Sequence, residues 1–374
     1  MIRLFPFLLF LIPALSSAQS KLLKKVFSDD TTRHNSFLPV PVFGYSQEAG
    51  LQFGVAGIYS FYSDLKNLKN KASSIYGTAV YSTKKQSKLT LKSDMWSPSN
   101  NYHTIAEIRL ANTPFNFYGL GNKTLLADED KIVQKQFKLV TEVERIILPN
   151  FYMGLGAEFE KLSFEDAEIG GIFSTNAPPD RAKGQVLFLK ISQLLDTRNN
   201  STYPDKGFYL RSRFGLAPDF FGGDNFAGNE LDIDFRAFKK LGSKLILGFN
   251  VLYEGLNYTK YVEAFYFLPQ LGGDLMMRGY YLGRYRGPNL IAGQAELRYR
   301  IIPRVGIVGF GGTGMVYENS RFAIKDLKPN YGLGARLFFD LEKALSLRID
   351  YGFGEKPAGE KRISGFYLSL GEAF

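Results

Sequence analysis

Leu271-Gly272-Gly273-Asp274-Leu275-Met276-Met277-Arg278-Gly279-Tyr280-Tyr281 is followed, after a polar, glycine-containing gap, by Ala295-Glu296-Leu297-Arg298-Tyr299-Arg300-Ile301. Successive side chains of a strand point to opposite faces. In the second stretch Ala295, Leu297, Tyr299 and Ile301 therefore share one face, and Glu296, Arg298 and Arg300 share the other. One face suits hydrocarbon and the other suits water. The first stretch, an arginine-glycine-aromatic loop, is too polar to sit against lipid. Together they predict an all-β protein, a transmembrane antiparallel β-barrel whose external loop folds back into its own lumen.

The alternation recurs. Phe208 and Leu210 oppose Tyr209, Arg211 and Arg213; Leu231, Ile233 and Phe235 oppose Asp232, Asp234 and Arg236; Leu345, Leu347, Ile349 and Tyr351 oppose Ser346, Arg348 and Asp350. A soluble sandwich shows the same alternation, with its apolar face turned to a second sheet. The N-terminus and the composition separate the two. Met1-Ile2-Arg3 is positive, Leu4 to Leu15 is apolar, and Ser16-Ser17-Ala18 is small, so residues 1–18 read as a cleaved secretory signal and the mature chain starts at Gln19. The apolar run is shorter than the roughly 20 residues a spanning helix needs. No cysteine is present, which removes disulfides, thiolate metal sites and a lipidated cysteine.

With a mean hydropathy of -0.12 and no later apolar run long enough to cross a bilayer, a helical inner-membrane protein is excluded. The 33 Phe and 22 Tyr beside one Trp fit a barrel, which places aromatic rings on its lipid face and in girdles at both interfaces. The net charge of +10 is expected to reflect a basic lumen or contact with anionic headgroups of outer-membrane lipids. Nucleic acid is not an expected partner, because the basic residues are scattered and the chain carries an export address.

Sixteen strands are predicted, at 37–45, 50–62, 72–84, 87–97, 101–110, 132–147, 150–163, 184–195, 206–217, 229–240, 243–256, 291–302, 304–317, 330–341, 344–354 and 364–374. Tight turns at Asn101, Leu148-Pro149-Asn150, Leu241-Gly242-Ser243, Ile302-Pro303 and Leu341-Glu342-Lys343 alternate with longer connections around 111–131, 164–183, 218–228, 257–290 and 318–329. Short periplasmic turns and long external loops are the asymmetry of an outer-membrane barrel. The turns near 63–71 and 196–205 fit it less cleanly.

On this count Met277-Arg278-Gly279-Tyr280 lies in the sixth external loop and Glu296 on the strand that follows. The chain here resembles the BamA/TamA superfamily of outer-membrane barrels, also called bacterial surface antigens. Further matches are Asp196-Thr197-Arg198 running to Tyr203-Pro204-Asp205-Lys206-Gly207, the stretch Tyr331-Gly332-Leu333-Gly334-Ala335-Arg336, and Leu370-Gly371-Glu372-Ala373-Phe374. The resemblance covers essentially the whole mature chain. It implies assembly or translocation of polypeptides at the outer membrane of a diderm bacterium, with unfolded outer-membrane or secreted polypeptides as partners.

The loop has a physical logic of its own. A guanidinium in a confined lumen needs a carboxylate, and the two match as planar forks. Glu296 faces the lumen by parity and is the expected partner of Arg278; Gly279 allows a sharp turn, and Tyr280 packs at the tip. The resemblance implies the same lock between loop and wall. One position departs from it: where the family has a lumen-facing aspartate on the thirteenth strand, this chain has Gly312 within Phe310-Gly311-Gly312-Thr313-Gly314. Asp350 and Asp340 are the substitute partners considered, and Gly311, Gly312 and Gly314 read as clearance for the inserted loop.

A second constellation concerns the seam between the first and last strands. Pro39 and Pro41, two apart, remove two amide donors from one edge of the first strand, unless they merely precede it. Gly371 is placed to kink the last strand, which ends at Phe374. The resemblance implies a lateral gate here, through which a client strand pairs with an exposed edge. The segment 19–36 ahead of the barrel at 37–374 reads as a short periplasmic arm, too short for the periplasmic POTRA domains of BamA and TamA relatives. A separate periplasmic receptor is the expected replacement.

Enzymatic readings fare poorly. Of two histidines, His34 lies in the arm and His103 points inward on a predicted strand without an oriented Ser-His-acid arrangement. Asp128-Glu129-Asp130 lacks the ligand spacing of a calcium loop. No catalytic residue, cofactor or metal is expected. The two functional readings are an insertion or translocation factor with a lateral gate, and a passive pore or structural surface antigen that kept the fold alone.

Overall fold

The computed structural model describes residues 31–46, 50–166, 170–175, 183–223, 225–259 and 264–374. The predicted signal and most of the predicted arm lie outside the described residues. Among the described residues one antiparallel sheet holds sixteen strands in sequential order. They are β1 (Ser36–Ser46), β2 (Gly50–Phe61), β3 (Ser73–Ser82), β4 (Ser87–Trp96), β5 (Tyr102–Phe117), β6 (Asp130–Leu148), β7 (Phe151–Asp166) and β8 (Lys183–Asp196). The second half comprises β9 (Lys206–Ala217), β10 (Gly228–Lys240), β11 (Leu245–Tyr258), β12 (Asn289–Ile302), β13 (Val305–Tyr317), β14 (Lys328–Asp340), β15 (Leu345–Phe353) and β16 (Ser364–Leu370).

The sheet curls into a barrel. Lys343, in the β14–β15 turn, donates to the carbonyl of His34 just ahead of β1. Tyr62, just after β2, donates to Glu342 Oε1 at 2.7 Å. These contacts set the two ends of the sheet side by side at the periplasmic rim. β1 nevertheless has only β2 as a ladder partner and β16 only β15, and no ladder joins β1 to β16 among the described residues.

The alternation read from the sequence sorts the wall. Leu297, Tyr299 and Ile301 are 40–48% exposed on the lipid side, whereas Glu296 and Arg298 are at 1% and 0% inside. Two strand ends differ from expectation by several residues. β5 continues to Phe117 instead of ending at 110, which shortens the next loop. β16 ends at Leu370 instead of 374, because Gly371 turns the chain with φ +81, a conformation glycine adopts without a Cβ clash. Of the two readings of the prolines, the one within the first strand holds: Pro39 and Pro41 lie inside β1, opposite Gly57 and Val55.

The lumen is filled from the external side and floored from the periplasmic side. Phe265 and Tyr266 of the long β11–β12 connection pack with Phe117, Phe164, Phe173, Phe188 and Phe226. Below, Lys71 in the β2–β3 turn sits 2.7 Å from Asp196, with its ammonium 4.2 Å over Trp96. Trp96 in turn stacks on His103 at 3.9 Å. His103 is held between Glu144 at 2.6 Å and Asp94 at 3.0 Å. A cavity of about 900 Å³ remains between these layers. Its wall carries Asp94, Glu107, Glu158, Glu160, Glu230, Asp232, Glu254 and Asp274 against Lys92, Arg109, Lys138, Lys190 and Arg213. The expectation of a basic lumen is therefore wrong for this cavity, whose wall bears more carboxylates than cations.

Candidate functional site

Residues 264–288 of the β11–β12 connection enter the lumen as a hairpin. Gln270 and Leu271 pair with Arg286 and Tyr285 at its base. At the tip Tyr280 N donates to Met277 O at 3.2 Å, and Gly279 takes φ +116, where a side chain would be strained. The tip presses on β15: a Cβ on Gly352 would lie 2.5 Å from the Arg278 carbonyl oxygen, and one on Gly354 2.7 Å from the Tyr280 ring. The glycines that make room for the loop are thus on and just beyond β15. Gly312 and Gly314 crowd their own sheet neighbours instead, at Gly293 O and Ala292 Cβ, and Gly311 meets only Asn330 O at 3.6 Å.

Arg278 is fully buried. Its Nη2 donates to Glu296 Oε1, and its Nη1 donates to Asp350 Oδ2 at 2.6 Å. The guanidinium carbon lies 3.6 Å from the centre of the Phe310 ring, so the cation is held by two carboxylates at its edges and an aromatic face. Asp350 takes the second place that the sequence left open between two candidates. Asp340 does not reach this site: it accepts from Lys343 N at 2.9 Å at the periplasmic rim.

The charges continue beyond this pair. Arg298 Nε donates to Glu296 Oε2 at 2.8 Å, Arg336 Nη1 to Asp350 Oδ1 at 2.6 Å, and Arg336 Nε to Glu372 Oε2 at 2.7 Å. Arg348 Nη2 donates to Asp274 Oδ2 at 2.8 Å. Four guanidinium groups, of Arg278, Arg298, Arg336 and Arg348, thus meet four carboxylates, of Asp274, Glu296, Asp350 and Glu372. Buried charge is tolerated when it is paired and hydrogen-bonded. Of these partners, Arg298, Arg336, Arg348, Asp274 and Glu372 were not assigned from sequence. Parity marks Arg298 and Arg348 as inward, but which inward residues meet depends on their depth along the barrel.

The tip is also pinned by neutral groups. Gln294 Nε2 donates to Leu275 O at 2.6 Å and Asn330 Nδ2 to Arg278 O at 3.3 Å. Gly279 N donates to Tyr367 Oη at 2.8 Å, and Tyr280 Oη donates to Pro329 O at 2.7 Å. Burial pushes the Tyr280 and Tyr285 phenols above their ordinary range, and the Glu355 carboxylate adds to this for Tyr285. Burial alone pushes the Arg286 guanidinium down to about 10.

At the seam, Phe374 packs on Phe238 with ring centres 5.9 Å apart, and its carbonyl accepts from Arg298 Nη2 at 2.9 Å. Pro39 and Pro41 are exposed on the lipid side.

A sixteen-strand transmembrane barrel with an arginine hairpin seated on a glutamate of the next strand defines a class of outer-membrane proteins. Residues 116–374 match the Omp85 superfamily domain, and the chain belongs to that superfamily. Its fold is similar to that of BamA from Haemophilus ducreyi lacking POTRA domains 1-3, at 14% identity and a TM-score of 0.58, with 96% of this chain and 78% of that chain covered. It is also similar to CdiB from Acinetobacter baumannii, at 11% identity, TM-score 0.54, 90% and 59% covered. CdiB from Escherichia coli gives 9% identity, TM-score 0.55, 90% and 62% covered. The chain thus spans about three fifths of the two CdiB structures. No curated protein matches the sequence.

Proposed function

We propose that this barrel aids insertion or translocation of polypeptides at the outer membrane, and that its working surface is the seam between β1 and β16. The observation that carries the reading is the pair of terminal strands without a common ladder, combined with a lumen already occupied by its own loop. An unpaired strand edge is a template for another strand. The prolines support the assignment. Residues two apart direct their amides to the same edge, and the β1–β2 ladder runs unbroken from Ser36 to Ser46, so the missing donors of Pro39 and Pro41 belong on the free edge. β16 contributes seven residues against eleven in β1, leaving part of the β1 edge without a counterpart.

In this reading the hairpin locked by Arg278, Glu296 and Asp350 stiffens the wall next to the seam, and no catalytic group is required. Clients are unfolded outer-membrane or secreted polypeptides, delivered by a separate periplasmic receptor. Depletion tests it. Accumulation of unassembled barrel proteins in the periplasm is expected; normal barrel assembly with altered small-solute permeability would support a passive pore instead.

A further inference from the structure

The outer end of the lipid face is not the same all round the barrel. On β7 the outward residues, counted from the periplasmic end, are Phe151, Met153, Leu155, Ala157 and Phe159, and the next is Lys161. From Phe151 to Lys161, at about 3.3 Å per residue and a tilt of about 35–45°, the strand climbs about 25 Å of membrane depth, the height of a barrel's apolar band. Lys161 therefore stands at the headgroups of the outer leaflet.

Register widens this point into a patch. Lys161 lies opposite Phe137 of β6 and Gln185 of β8. One row further out, Ser163 of β7 lies opposite Lys135 of β6 and Lys183 of β8, and Asn112 of β5 lies opposite Lys135. Lys161 is thus the diagonal neighbour of both Lys135 and Lys183, about 7–8 Å away across each ladder. Between β5 and β7 the same face carries a groove of about 310 Å³, lined by Leu110 and Phe137 and by Asn112, Lys135, Lys161 and Ser163. Toward the membrane centre Leu139 and Leu189 are 45% and 46% exposed to lipid.

Clustered cations repel one another until an anion joins them. Lys135 has Glu165, but both side chains are half exposed or more, and such a pair is worth little. Lys161 and Lys183 have no ion-pair partner among the described residues. Lysines that only snorkelled from lipid to water would be scattered around the rim. Outside β6, β7 and β8, the outward positions at the external ends of the described strands hold no Lys or Arg; Leu51, Tyr81, Leu89, Leu216, Tyr331 and Phe366 are typical.

We propose that Lys135, Lys161 and Lys183 form a binding site for an outer-leaflet glycolipid whose sugar headgroup carries phosphate. The ammonium groups take the phosphate, and Asn112, Ser163 and Gln185, interleaved with them, hydrogen-bond the sugar hydroxyls. The acyl chains lie along Leu110, Phe137 and Leu139. These strands lie across the barrel from β1 and β16, so the site stands independently of the seam reading.

Lipid A in phosphatidylcholine vesicles is the probe. Reconstituted barrels are extracted in mild detergent and washed, and the lipid A retained per barrel is measured by mass spectrometry. The parent barrel is expected to retain it, and Lys161→Gln combined with Lys183→Gln to retain roughly tenfold less or lower. Lys239→Gln, the same charge change on the outward face at the periplasmic end of β10, is expected to match the parent. Assembly of each variant is read from the heat-dependent shift on gels; should the double variant not assemble, Lys161→Gln alone carries the test with an expected loss of about fivefold. Dephosphorylated lipid A is expected to wash away, and phosphatidylglycerol to be held no better than lipid A is by the double variant. Parent-level retention by the assembled variants, equal retention of phosphatidylglycerol, or release of lipid A by inorganic phosphate overturns the glycolipid site.

Discussion

Arg278 and Asp350, 72 positions apart in sequence, meet at 2.6 Å in the sealed interior of the barrel. Gly312 on β13 brings no charge to this site, and the second carboxylate on Arg278 comes from Asp350 of β15. The hairpin is thus tied to both sides of the β13–β14 pair, to Glu296 on β12 and to Asp350 on β15.

Charge reversal at Glu296 tests this arrangement. Glu296→Arg places a cation against Arg278 and Arg298, and leaving a buried charge without its partner costs about 3–5 kcal/mol. Loss of the heat-resistant folded form on gels is expected, with partial recovery in Glu296→Arg combined with Arg278→Glu. Unaltered assembly of the single variant would show that the pair does not hold the loop.

Gly352→Val is a steric test without change of charge. The added side chain would begin 2.5 Å from the Arg278 carbonyl, so the hairpin must leave its seat. Proteolysis at the external face should then cut within 270–286, whereas the parent barrel resists. The same substitution at Gly311, whose Cβ would meet only Asn330 O at 3.6 Å, is expected to be far milder.

Alkali should release the tip late. Tyr280 and Tyr285 have their phenols raised by burial, so the stability they contribute is complete below the ordinary tyrosine value of about 10 and is lost as pH rises from there toward the raised values. The heat-resistant folded form on gels should persist from neutral pH to about 10 and be lost above it. Its loss already near neutrality would contradict the hydrogen bonding assigned to the two phenols.

Removing the plug should open the lumen. Deletion of 264–286 takes away Phe265, Tyr266 and the arginine tip and leaves a cavity wall rich in carboxylates. The deleted barrel is expected to conduct in planar bilayers with preference for cations, and the parent barrel to be nearly silent.

How much of this was legible in the sequence follows from what alternation can encode. Period two placed Glu296, Arg298, Arg348 and Asp350 on the wet face, and an even count of alternating segments gave the barrel. Alternation fixes the face but not the depth. Asp340 and Asp350 both lie on β strands near the site in sequence terms, yet Asp340 sits at the end of β14 beyond a register shift at Phe338, at the far rim from the arginine. The aromatic zone of Phe265 and Tyr266 had no periodic signal because it is loop. The inward fold of Glu372 was hidden because Phe366, Leu368 and Leu370 predict a straight strand, and only the glycine after them breaks it. The clearance for the loop was sought on β13, where glycines cluster, while Gly352 on β15 carries the contact.

In the proposed function polypeptides pass through the seam between β1 and β16. Cysteine pairs along the lipid faces of β1, at Phe37, Pro39 and Pro41, and of β16, at Phe366 and Leu368, can seal it reversibly in this cysteine-free chain. Assembly of client polypeptides is then measured with the cross-link formed and again after reduction. Loss of assembly when sealed and its return on reduction is the predicted result; full assembly with the seam closed would contradict the account.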